Sequence, residues 1–248
     1  MSKKNYILMV FEGEKTEKII FDSLREHFLT NSTNRIIYGF HCGEIYSLYS
    51  KLTEPENESL FFILKEKLKV KNPVLQDIIE EYVEAIYLFF DYDGHANADC
   101  NVRLQDMLEF FNDEFENGKL FVSYPMVESI KHLKENICFD EIKSISNSQY
   151  KTIARSNCDN HLKKFGESVG ENILKENWNY IINEHCKKAN YIVNNIFSYP
   201  QVIIAQDEIH QKQIEKYDTV NNEVAVLSAF PLMLLDYYGH VKLKELIL

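Results

Sequence analysis

The chain has 248 residues, of which 45% are hydrophobic and 26% are charged, and its formal net charge at pH 7 is −11. This length and composition predict a folded protein of one large or two small domains, and the low Gly and Pro content excludes long flexible linkers. The acidic balance opposes simple electrostatic binding of nucleic acid. Bound divalent cations would reverse the local charge around a cluster of carboxylates, so that class of site remains open.

The cysteines and the N-terminal residues indicate the cellular compartment of the protein. The five cysteines are odd in number and show no C-x-x-C spacing, which argues against a disulfide framework and a structural zinc site. The N-terminal residues lack the pattern of a signal peptide. The longest apolar run, residues 224–235, contains a proline and is too short to span a bilayer, so we expect it to lie in the core. We therefore predict a cytoplasmic protein without membrane association.

Strands and helices alternate along the first half of the chain. Apolar runs predict strands at residues 5–13, 35–42, 85–93 and 119–126. Helical spacing of apolar residues predicts helices at residues 16–30, 44–83, 102–115 and 127–135, with a helix start near Pro73. This alternation is typical of an α/β protein with a mostly parallel, doubly wound sheet, into which residues 44–83 form a helical insertion.

The second half of the chain has helical periodicity and no clear strand. We therefore predict an α/β domain over residues 1–140 and a helical C-terminal region over residues 141–248. The C-terminal region is interpreted as a surface for dimerisation or for a partner protein.

Acidic residues follow three of the four predicted strands. Glu12 follows the first strand, Asp91 and Asp93 end the third, and Glu128 comes shortly after the fourth. In doubly wound sheets the functional residues lie at the carboxyl ends of the strands, so we expect these acidic residues at one edge of the sheet. Two neighbouring carboxylates repel each other unless a cation lies between them, and Mg²⁺ prefers carboxylate oxygens. The pattern indicates either a Mg²⁺ site for phosphodiester cleavage or a phosphorylated aspartate.

Several nearby residues are weaker candidates. Glu17 either complements the positive end of the predicted helix at Thr16 or acts as an outer metal ligand. Lys15 lies where a phosphate could dock, and His95 could touch a phosphate or a leaving oxygen. Gly13 is interpreted as leaving room for the backbone to approach a phosphate. Lys151 is a solvated charge or a cation that steadies a transition state.

Three segments in order resemble the motifs of TOPRIM domains. "MVFEGEKTEKIIFDSL" resembles the first TOPRIM motif, and "LFFDYDGH" is similar to the Asp-x-Asp motif. "FVSYPMVESIKHL" resembles the third segment of the overcoming-lysogenization-defect and RloB-like branch. The resemblance covers about the first 135 residues and implies a TOPRIM-like fold.

The resemblance also implies an activity and a set of partners. Glu12, Asp91, Asp93 and, by the helix position, Glu128 would bind Mg²⁺ or Mn²⁺ in a nuclease that cleaves DNA or tRNA. Similar TOPRIM subunits of PARIS anti-phage systems are toxic effectors that attack tRNA beside an ABC-type ATPase. This chain has no Walker A motif, so the implied ATPase would be a separate protein, and the effector is expected to be a homodimer.

Two alternatives remain open from the sequence. Asp-x-Asp-Gly after an apolar strand is also the nucleophile motif of haloacid-dehalogenase-like phosphatases, in which Asp91 would attack phosphorus and Asp93 would act as acid and base. His95 occupies a position where that family has Thr or Val. The second alternative is a non-catalytic, TOPRIM-shaped regulatory subunit.

Overall fold

A five-stranded mixed sheet, mostly parallel, and a series of helices make this an α/β protein. The computed structural model describes residues 5–29, 35–43, 45–54, 58–92, 98–145, 149–167, 173–218 and 223–248. Strand order in the sheet is β2-β1-β3-β5-β4. The strands are β1 (Asn5–Phe11), β2 (Arg35–His41), β3 (Val83–Asp91), β4 (Asn112–Asp113) and β5 (Gly118–Ser123). The predicted α/β class with a mostly parallel sheet and all four predicted strands are thereby confirmed.

Strand β1 lies between β2 and β3 and pairs with both in parallel. Its last residue, Phe11, is level with His41 of β2 and with Phe89 of β3. Residues 7–11 are all buried. A strand covered on both faces needs a continuous apolar run, which is why the sequence of β1 shows no alternation of polar and apolar residues.

The helices of the first half are shorter than the sequence predicts. The predicted insertion at 44–83 consists of short helices instead of long ones, and the helix at Pro73 has four residues, with only Leu75 buried. Short helices are marginal without an apolar face to bury. The helix predicted at 102–115 spans Ala98–Phe110 instead. It ends there because the Phe111 carbonyl accepts a backbone hydrogen bond from Leu120 and the chain turns into β4. The helices are α1 (Thr16–His27), α2 (Ile45–Leu52), α3 (Leu60–Lys67), α4 (Pro73–Gln76) and α5 (Ala98–Phe110).

The predicted helix at residues 127–135 is wrong in type and length. The chain forms a 3₁₀ helix at Val127–Lys131. Its backbone bonds join residues three apart, as in the bond from the Ser129 N–H to the Met126 carbonyl at 2.8 Å. Such short 3₁₀ segments commonly serve as connectors.

The C-terminal half is mainly helical, as predicted, with one small addition. A two-stranded antiparallel ladder joins β6 (Lys143–Ser144) to β7 (Val224–Ala225). Strands of two residues leave no periodic pattern in a sequence. The helices are α6 (Tyr150–Ser156), α7 (Lys175–Asn194), α8 (Gln206–Gln213), a π-helix at Ile214–Asp218 and α9 (Ala229–Ile247), which is kinked at Gly239.

The chain divides into two compact units. The first comprises residues 1–89 and 107–120, and the second comprises residues 90–106 and 121–248. The predicted domain boundary at residue 140 stays a prediction.

The core of the second unit is built around α7. Trp178 of this helix is fully buried and meets Phe165 edge-on, with ring centroids 5.3 Å apart. Helix α9 packs against α7. Residues 224–235, the longest apolar run, are buried throughout, which confirms their interpretation as core.

Among the residues that the structure describes, no helix has both the length and the apolar character needed to cross a bilayer.

A buried lysine caps a group of backbone carbonyls in the second unit. Lys188 of α7 is 0% exposed, and its Nζ donates to the carbonyls of Phe139, Asp140 and Ile142 at 2.9, 2.6 and 3.0 Å. The same ammonium lies 5.4 Å from the centre of the Phe139 ring. Burial lowers the pKa of Lys188 to about 7, and the nearby Asp140 carboxylate opposes that shift. This contact ties the 3₁₀ turn at Phe139–Glu141 to the central helix.

Candidate functional site

Glu12 immediately follows β1. Its side chain is half-buried, and its backbone N–H donates to the Phe89 carbonyl of β3 at 3.1 Å. The β1–β3 ladder therefore extends one residue beyond Phe11. This bond fixes the backbone from which the Glu12 carboxylate projects, as the sequence predicts for a residue at a strand end.

The loop after Glu12 is closed by Glu17. The Gly13 N–H donates to Oε1 of Glu17 at 2.7 Å, and Glu17 is only 6% exposed. A Cβ on Gly13 would lie 2.3 Å from both carboxylate oxygens of Glu17, far inside van der Waals contact. The Glu17 carboxylate thus accepts the Gly13 N–H and fills the position of a Cβ at residue 13, and the predicted approach of a phosphate to this backbone stays a prediction. An outer-ligand role for Glu17 stays a prediction.

Lys15 precedes α1 and is exposed. Its side chain makes no capping hydrogen bond to the helix. An exposed ammonium group at this position is compatible with the predicted contact to phosphate, which stays a prediction.

Asp91 is the last residue of β3 and is half-buried. The next residue is fixed firmly: the Tyr92 N–H donates to the Ser123 carbonyl at 2.9 Å, and its hydroxyl donates to Asn101 at 2.8 Å. These bonds anchor the backbone on the carboxyl side of Asp91. Asp93 and His95, the other predicted residues of this motif, lie outside the described residues.

Glu128 is a buried carboxylate with a lysine partner. Its side chain is 7% exposed, and Oε1 lies 3.1 Å from Nζ of Lys151, whose side chain is 57% exposed. A buried carboxylate is costly unless a cation or hydrogen bonds compensate it. Lys151, a weak candidate in the sequence, therefore belongs beside the predicted metal ligand Glu128.

A buried tyrosine and a histidine complete this part of the second unit. Tyr150 is 0% exposed, and its hydroxyl lies 3.1 Å from Nδ1 of His132. Burial raises the pKa of Tyr150 well above its usual value, and the carboxylates of Glu128 and Asp91 raise it further. Asp91 and Glu128 thus both act on one phenol, which remains protonated at neutral pH.

His132 is neutral in the folded protein at pH 7. Burial lowers its pKa to about 4, with a smaller contribution from the Lys188 ammonium. A neutral imidazole has one ring nitrogen that accepts and one that donates, so it suits the Tyr150 hydroxyl as a partner. Neither residue is predicted from the sequence, because their contact joins positions 18 residues apart in the chain, which no local pattern links.

Because His132 and His185 are buried, we expect the stability of the protein to fall at acidic pH. Burial lowers the pKa of His185 to about 3, and that of His132 to about 4, from 6.5. Below pH 6.5 the unfolded chain therefore binds more protons than the folded chain, so the free energy of unfolding falls as pH falls. We expect a loss on the order of 2 kcal/mol per histidine between pH 6.5 and 4.5, measured by urea unfolding.

The histidine contribution can be separated from that of the carboxylates by substitution. In His132→Gln the free energy of unfolding is expected to depend less steeply on pH over this range. His161→Gln, at an exposed position, should leave the slope unchanged. Equal slopes for the wild type and His132→Gln would contradict the assignment.

The described residues contain no group of three or more His, Cys, Asp or Glu side chains that could bind a metal ion. Asp93, the third predicted ligand, is not among them. The oxygen donors Glu12, Asp91 and Glu128 are nevertheless of the type that Mg²⁺ prefers. Binding of Mg²⁺ or Mn²⁺ stays a prediction.

No protein-family model, no curated protein and no solved structure matches the chain significantly.

Proposed function

We propose that the protein is a metal-dependent nuclease with a TOPRIM-like catalytic domain. In this proposal Glu12, Asp91 and Asp93 bind Mg²⁺ or Mn²⁺ and act as catalytic residues, and Glu128 is an additional ligand. The observation that carries the proposal is the pairing of β1 with β3. They are parallel neighbours with Phe11 level with Phe89, Glu12 follows the first strand, and Asp91 ends the second.

The surroundings of Asp91 and Glu128 support phosphoryl chemistry. Divalent ions polarise a phosphoryl oxygen and lower the pKa of a bound water. Lys151 places an exposed ammonium 3.1 Å from Glu128, where it can neutralise charge that develops on a phosphoryl group. Burial and the charges of the two carboxylates raise the pKa of Tyr150, so it stays protonated and is a hydrogen-bond donor and not a further negative charge.

The resemblance to TOPRIM domains and the net charge of the chain support a proposal for the substrate and the partners. We infer a toxic effector of anti-phage defence that cleaves tRNA or DNA, acts with a separate ABC-type ATPase and forms a homodimer. A net charge of −11 is poorly suited to hold a polyanion by long-range attraction. A partner that binds nucleic acid would supply the attraction that this chain lacks.

The proposal is tested with the purified protein, with and without a co-purified ATPase partner. Supercoiled plasmid and total tRNA are each incubated with Mg²⁺, Mn²⁺ or excess chelator, and products are resolved on gels. We expect nicks or tRNA fragments with either metal and none with chelator. Cleavage that persists in chelator would contradict the proposal. Hydrolysis of p-nitrophenyl phosphate with a trapped acyl phosphate on Asp91 would instead favour the phosphatase alternative.

A further inference from the structure

A cleft of about 320 Å³ opens at the carboxyl ends of β1 and β2, wholly within the first unit. Phe11 and Phe40 form part of its wall and are almost fully buried. Lys18 of α1 lines it, as does Lys71 from the segment between α3 and α4. The cleft therefore combines an apolar wall with two cations from separate elements, one of them from the helical insertion.

The two lysines are available to a ligand. Lys71 is exposed, and within the described part of the chain it forms no ion pair. Lys18 pairs with Asp22 at 3.0 Å, but their side chains are 60% and 40% exposed. Exposed pairs of this kind contribute little and are readily exchanged for another anion. Glu14 is the single carboxylate among the described residues that line the cleft, so an incoming anion meets more cations than anions.

The wall also presents polar groups suited to a ligand. His41 lines the cleft, and its Nδ1 is buried without a hydrogen-bond partner among the described residues. A buried polar atom left unpaired is costly, and ligand sites are where such atoms are retained. Asn72, next to Lys71, adds an amide that can both donate and accept.

We propose that this cleft binds a phosphate ester of nucleotide size. The phosphate would lie between the ammonium groups of Lys18 and Lys71, and the organic part would lie against Phe11 and Phe40. A volume of about 320 Å³ is within the range of small-molecule sites and exceeds what a bare phosphate fills. The inference goes beyond the proposed nuclease activity, because it requires neither a metal ion nor Asp91.

The test is isothermal titration calorimetry of the full chain with AMP, inorganic phosphate and adenosine, in chelator and without divalent metal. We expect saturable binding of AMP, weaker binding of phosphate and none of adenosine. Lys71→Gln and Lys18→Gln should each weaken AMP binding about tenfold, since each removes one charge-assisted contact. Lys69→Gln, also exposed in the same segment but outside the cleft, should bind AMP as the wild type does.

Three results would overturn the proposal: no saturable binding of AMP, unchanged binding by Lys71→Gln, or phosphate binding as tight as that of AMP. Thermal unfolding of each variant confirms that it is folded. Because every titration is metal-free, failure of the nuclease proposal and failure of this one produce different results.

Discussion

Glu12→Gln and Asp91→Asn are each expected to reduce metal-dependent cleavage by a factor of roughly 10³ or more. Each substitution removes one negative ligand oxygen while keeping the size and shape of the side chain. Both positions are half-buried at strand ends, and each variant keeps the backbone hydrogen bonds of its strand. Initial rates on tRNA and plasmid, measured over a range of Mg²⁺ concentrations, provide the comparison.

Matched controls for these variants are available on neighbouring helices. Glu26→Gln on α1 and Asp106→Asn on α5 remove carboxylates from exposed positions and should leave cleavage unchanged. The two control variants are expected to melt within about 2 °C of the wild type, as is usual for surface substitutions, and thermal unfolding of Glu12→Gln and Asp91→Asn checks that they are folded. Full activity in both Glu12→Gln and Asp91→Asn would remove the basis for a TOPRIM-type site. Retained biological function in the inactive double variant would favour the regulatory-subunit alternative.

Strands β1 and β3 could be predicted from the sequence because burial on both faces demands unbroken apolar runs. Residues 7–11 and 85–90 are such runs, and each leads directly to a carboxylate. In a parallel sheet the end of an apolar run marks the carboxyl edge, so the positions of Glu12 and Asp91 on their strands follow from local sequence. The pairing of β1 with β3 could not be predicted from local sequence, because the two strands are separated in the chain by β2 and the insertion.

The surroundings of Glu128 depend on contacts that local patterns do not encode. Lys151 lies more than twenty residues from Glu128 in the chain, and the His132–Tyr150 contact likewise joins separate segments. Periodicity reports which face of an element is buried, not which polar groups meet inside the core. The helix predicted at Glu128 failed for a related reason, because tertiary contacts of a short segment override its helical spacing.

The Gly13–Glu17 contact could have been found from the sequence. The two residues are four apart at the start of a helix, and a carboxylate there can accept an N–H from the preceding loop. The same sequence also suits an anion site, since glycine before a helix is a feature of such sites. In the structure the Gly13 N–H donates to Glu17, whose carboxylate also fills the position of a Cβ at residue 13.

Lys188→Met is expected to lower the free energy of unfolding by about 2–4 kcal/mol. The substitution keeps an unbranched chain of similar length in the core but removes the donor to three buried carbonyls. The shortest of these three hydrogen bonds, at 2.6 Å, is the one to the Asp140 carbonyl. Urea unfolding at pH 7 and pH 9 measures the effect.

The deficit of Lys188→Met should grow with pH. Burial lowers the pKa of Lys188 to about 7 in the folded protein, from 10.5. Between these values the unfolded chain binds more protons than the folded chain, so the Lys188 contribution to stability rises with pH. The variant lacks this contribution. The difference in free energy of unfolding between the wild type and Lys188→Met is therefore expected to be larger at pH 9 than at pH 7, by an amount on the order of 2 kcal/mol.

Lys187→Met is the matched control on the same helix. Lys187 pairs with Glu184 at 2.8 Å, and its side chain is 28% exposed, so we expect a loss below about 1 kcal/mol with little change between pH 7 and pH 9. Similar losses for the two variants would show that the three carbonyls are satisfied without the ammonium. A deficit of Lys188→Met that shrinks as pH rises would mean that the carbonyls hold the lysine charged and that its pKa is raised rather than lowered.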